Sequence, residues 1–87
     1  MYGLSVFTDI LKELCEYSEK VDTGTATHED FGNLQKLQPR IIKAYQEGRF
    51  HRPEYTALMN TYFRNMEEYR QALGYNEIYE RAAANAR

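Results

Sequence analysis

The chain has 87 residues, the size of one domain. Charged residues make up 28% of it and nearly cancel, leaving a formal net charge of −2, so neither wholesale disorder nor a general attraction to nucleic acid is implied. A chain this short buries only about two thirds of its unfolded surface, which leaves little room for a deep cleft beside an independent core.

No apolar run approaches the ~20 residues of a membrane span. Met1-Tyr2-Gly3-Leu4 lacks the basic region and long apolar stretch of a signal peptide. Cys15 is the single cysteine, so an internal disulfide is excluded and a reducing, cytoplasmic setting is expected, with no membrane partner. Tyrosine is the commonest large side chain, with eight copies against seven Leu, four Ile and two Val. A ring with a polar tip suits boundaries and interfaces better than a dry core.

The periodicity predicts four helices in a single domain over 1–87. The first runs from about Val6 to Val21 with Ser5 as N-cap. Phe7, Leu11, Leu14, Ser18 and Val21 form its apolar stripe, widened by Ile10 and Cys15. Asp9, Glu13, Glu16 and Glu19 fall on the other side. Asp22 to Ala26, with Gly24 among them, ends it.

The second helix opens at Thr27-His28-Glu29-Asp30, where a hydroxyl cap and two acids suit a helix N-terminus. Leu34, Leu37, Ile41 and Tyr45 keep one phase across Pro39. That favours one kinked helix to about Glu47, with a break capped by Gln38 as the alternative. Gly48 ends it.

The third has Pro53 at its first position and a seam of Tyr55, Met59, Tyr62, Met66, Tyr69 and Leu73, flanked by Leu58 and Phe63. Gly74 closes it. A short fourth helix, Glu77 to Ala84 with Asn76 as cap, follows. Long helices and short loops predict an all-α fold: a small antiparallel three-helix bundle with a short C-terminal fourth helix.

No catalytic or metal-binding set emerges. His28 and His51 lie in no metal-binding spacing, and the carboxylate pairs Glu13/Glu16 and Glu77/Glu80 lack histidine companions. Cys15, beside Leu11 and Leu14 on the apolar side, reads as an inert small hydrophobe. The glycines are scattered singly, without a phosphate-binding loop. Thr23 to Thr27 leads into a helix N-terminus, but Glu29 and Asp30 would repel an anion there. The expectation is no enzyme, no metal and no cofactor.

The charge, by contrast, is segregated. Residues 1–35 sum to −5, residues 36–52 to +4 and residues 53–87 to −1. Lys36, Arg40 and Lys43 share one helical stripe, read as opposite Leu34, Leu37 and Ile41. Arg49, Phe50, His51 and Arg52 follow at the turn, with Tyr45 nearby. This basic and aromatic surface is predicted to dock on another protein, Arg and Tyr being frequent anchors of interface energy.

Two other roles fit the same residues: internal neutralisation of the acidic first helix, or binding of nucleic acid or a nucleotide. Tyr55, Tyr62 and Tyr69 in a soft Tyr/Met seam suggest self-association into a homodimer, or a subunit of a helical oligomer. A short, helical, Tyr-rich chain with segregated charge is similar in type to small regulators and inhibitors encoded by phages and mobile elements. That likeness rests on no motif and assigns no residue.

Overall fold

A computed structural model describes residues 2–74, with side chains from residue 6 onward. These residues are all-α: α1 (Tyr2–Asp22), α2 (His28–Gln35), α3 (Leu37–Gln46) and α4 (Arg52–Leu73). The expected helix over Glu77 to Ala84 lies outside the described residues.

α1 starts before the expected Ser5 cap, since Gly3 alone costs only about 1 kcal/mol of helix propensity and no proline intervenes. Its expected apolar arc faces the core: Ile10 and Leu14 are buried, and Phe7, Leu11 and Val21 pack on the core, joined by Tyr17. Cys15, one step of about 100° beyond Leu14, points outward and is exposed, which corrects its reading as part of the apolar side.

α2 is capped as its sequence implies. Thr27 Oγ1 accepts from the Asp30 amide, and Asp30 Oδ2 accepts from the Thr27 amide, both at 3.1 Å. This capping box occupies amides that an anion would need. The helix is then interrupted at Lys36, not recapped at Gln38. Pro39 has no N–H for the Gln35 carbonyl and its ring crowds that oxygen. The ladder tightens there, with the Lys36 amide bonded to the Asn33 carbonyl at 3.2 Å. Lys36 keeps helical angles, φ −70° and ψ −14°, so α2 and α3 are one bent, joined unit.

α4 ends at Gly74, whose φ of 79° would strain any residue with a Cβ. Its buried line is Leu58, Tyr62, Asn65, Met66 and Tyr69. Tyr55, Met59 and Leu73 are only partly buried, so the centre of the seam lies toward Leu58 and Asn65.

Packing against α1 proceeds in step: the Asn65 amide group donates to the Leu14 carbonyl at 2.7 Å, and the Tyr69 hydroxyl donates to the Tyr17 carbonyl at 2.9 Å. Phe31 of α2 stacks on Tyr69 with centroids 6.3 Å apart, and Tyr45 of α3 stacks on Tyr55 at 4.3 Å. Residue numbers thus rise together along α1 and α4, and run oppositely along α2–α3. Leu34, Leu37, Ile41 and Ala44 close the core from the bent unit.

Candidate docking surface

The predicted surface divides in two once its residues are placed. On α3, Lys36, Arg40 and Lys43 each precede a buried residue, Leu37, Ile41 and Ala44, by one position. One residue is about 100° of rotation, so the stripe lies on a flank of α3 rather than opposite its core. That flank adjoins α1. Arg40 Nη1 donates to Glu13 Oε1 at 3.0 Å and stands 2.9 Å from Oε2. Lys36 and Lys43, both exposed, make no ion pair among the described residues.

A second ion pair between α1 and the bent unit runs in the opposite sense. Lys20 Nζ donates to Asp30 Oδ1 at 2.8 Å. Asp30 is held below the usual carboxylate range by its Lys20 bond, against a smaller upward push from burial. The same bond raises Lys20. Glu13–Arg40 and Lys20–Asp30, of opposite sense, therefore tie α1 to the α2–α3 unit.

The second half is the turn between α3 and α4. Arg49, His51 and Arg52 are exposed. The nearest acid to Arg49 is Glu47, 3.9 Å away, a solvent-exposed contact of little energetic weight. Arg52 makes no ion pair among the described residues. Phe50, by contrast, is only 5% exposed. Its ring lies edge-on to Phe7 at 6.5 Å and stacks on Tyr45 at 6.3 Å. Apolar burial takes Phe50 out of the expected surface, while Tyr45 remains half-buried at its margin.

The three tyrosines assigned to self-association also separate. Tyr62 and Tyr69 are core residues, 2% and 0% exposed, and are not available to a second subunit. Burial pushes the Tyr69 hydroxyl up to about 12, and its bond to Tyr17 supplies the partner that a buried phenol needs. Tyr55 is half-buried against Tyr45.

Compared with protein families, curated proteins and solved structures, the chain matches none. Its chemistry must be read from the surface alone. Among the described residues no group of His, Cys, Asp or Glu is placed to hold a metal ion. No described helix is long and apolar enough to cross a membrane. An open depression of about 450 Å³, lined by Val21, Asp22, Glu68, Gln71 and Ala72, gives no enclosed binding site.

Two apolar residues escaped notice as surface features. Phe63 is 53% exposed, and Ile42 is half-buried and outside the core cluster. Their signal was present: each falls one or more steps outside the phase of its helix's buried line.

Proposed function

We propose that the chain is a non-enzymatic protein-binding module, acting as a regulator, inhibitor or adaptor in a reducing, cytoplasmic setting. In this reading it is a single antiparallel, up-down-up three-helix domain of the phage or mobile-element type. The α3–α4 turn, with Arg49, His51 and Arg52 beside Tyr45, is its contact region. The observation that carries the reading is the exposure of these three side chains beside the half-buried Tyr45, while Arg40 is held by Glu13 of α1. Arg49 meets Glu47 only across 3.9 Å of solvent-exposed surface and Arg52 makes no ion pair among the described residues, so both cations are open to a partner.

The test is affinity capture from host lysate with wild-type protein, Arg49→Glu/Arg52→Glu and Lys36→Glu/Lys43→Glu, scoring both protein and nucleic acid. One defined protein kept by the α3 variant and lost by the turn variant is the expected result. Capture unchanged by the turn variant removes this surface. Capture of nucleic acid instead replaces the reading with a nucleic-acid binder.

A further inference from the structure

The outer face between α3 and α4, on the side away from α1, has the composition of a helix-binding groove. The Tyr45–Tyr55 stack fixes how the two helices meet. Stepping one turn from it brings Ile42 level with Met59, and Phe63 follows one turn further along α4. These three are the floor: Ile42 and Met59 are half-buried, Met59 packing on the core, and Phe63 is 53% exposed. Arg49 and Arg52 stand at one end of the face and Arg70 at the other. Arg52 and Arg70 are separated by eighteen residues of one helix, about 27 Å. Among the described residues, Arg49 and Arg70 contact acids only on their own turns, Glu47 at 3.9 Å and Glu67 at 3.6 Å.

We infer that this face binds an amphipathic acidic helix of a partner protein, lying in the corner that three packed helices leave open. Its apolar stripe covers Ile42, Met59 and Phe63, and carboxylates toward its ends meet Arg49, Arg52 and Arg70 in charge-assisted hydrogen bonds. The inference rests on the protein-docking reading above and specifies the partner's chemistry.

Charge selects among the occupants. A second copy of the chain, related by a two-fold axis across this face, would bring Arg52 of one copy toward Arg70 of the other, like against like. A nucleic-acid strand presents a phosphate every few ångströms, whereas here three arginines border an apolar floor that a backbone would leave uncovered. An acidic amphipathic helix satisfies both the floor and the rim. Methionine in the floor adapts to side chains of differing shape.

The probe is a fluorescein-labelled 18-residue synthetic helix with leucines along one face and glutamates on both flanks, titrated in fluorescence anisotropy at physiological salt. A twin with lysine for glutamate and a 15-residue oligothymidylate serve as competitors in class. Wild-type protein is expected to bind the acidic helix and neither of the others. Phe63→Glu and Arg52→Glu/Arg70→Glu are expected to weaken it by about ten-fold or more, with unchanged circular dichroism because the altered groups are solvent-accessible.

Failure of the acidic helix to bind wild type overturns the inference, as does equal binding by Phe63→Glu. Preference for the oligothymidylate assigns the face to nucleic acid and also overturns it. A wild-type dimer in sedimentation that Phe63→Glu disperses makes a second copy the occupant. If Phe63→Glu leaves lysate capture intact while Arg49→Glu/Arg52→Glu abolishes it, the groove is refuted and the docking reading stands.

Discussion

Asn65 is the sharpest place to perturb the fold. It is 2% exposed, the single buried polar side chain among the described residues, and its amide donates to the Leu14 carbonyl at 2.7 Å. Leu14 lies well inside α1, so its carbonyl also has a helical amide to accept from and is not orphaned if Asn65 leaves. Asn65→Ala removes one hydrogen bond, worth about 1 kcal/mol, and opens a small void that adds a comparable amount. A loss of about 2 kcal/mol lowers the melting temperature of a domain this size by roughly 8–16 °C. Asn65→Leu fills the void and strands no partner, so most of that loss should be recovered. Asn65→Asp places an acceptor against a carbonyl, so only the protonated acid can restore the bond. Burial raises the folded-state pKa of such an acid, and this variant should gain stability as pH falls toward the carboxylate range. Urea denaturation of the three variants, with the Asp variant followed from pH 7 to 4, decides the matter. An Asn65→Ala protein as stable as wild type, or an Asp variant indifferent to pH, refutes the argument.

Tyr69→Phe, losing the 2.9 Å bond to the Tyr17 carbonyl, is expected to cost about 1 kcal/mol in thermal unfolding. Since the buried Tyr69 hydroxyl titrates at about 12, above its unfolded value, its contribution is complete below pH 10 and lost as pH rises through about 12. Wild type should therefore lose stability over that window, and Tyr69→Phe should lose less. Thr27→Ala breaks the reciprocal cap and is expected to cost about 0.5–2 kcal/mol in urea unfolding. Asp30, lowered by Lys20, contributes stability above the ordinary carboxylate pKa that is lost as pH falls through its own, so Asp30→Asn should flatten the acid limb of a stability–pH profile. Glu13→Arg should destabilise by about 0.2–1 kcal/mol, the range of exposed pairs, and Arg40→Glu added to it should restore the loss in a double-mutant cycle.

The helices were legible where periodicity and punctuation agreed. α4 lies between a proline in its first turn and a left-handed Gly74, as its sequence implies. The bend before α3 was also legible as a consequence of Pro39, though not its place at Lys36. A proline disturbs the carbonyl four residues back, so the break precedes it. Cys15 was misplaced because it follows Leu14 by one step of about 100°, which carries it off the arc that Phe7, Ile10, Leu11, Leu14 and Val21 turn to the core. Tyr62 and Tyr69 were expected at a contact because a ring with a polar tip suits a boundary, whereas Tyr69 buries its ring and satisfies its hydroxyl on a backbone carbonyl one helix away.

The charge segregation was legible as a number and not as a geometry. A sum of +4 over residues 36–52 cannot distinguish a stripe facing solvent from one facing the acids of α1. The difference is roughly a quarter turn of α3, and the core positions Leu37, Ile41 and Ala44 set that rotation. With the rotation set, the acids of α1 reach Arg40 through Glu13. What they leave unexplained are Arg49 and Arg52 at the turn, Arg70 at the far end of α4, and two apolar side chains between them with nothing of their own helices to cover. Solvated arginines cost a small domain nothing, whereas an apolar ring left in water forgoes the stabilisation its burial would bring. Phe63, 53% exposed, is therefore the side chain on this face that the fold itself does not explain.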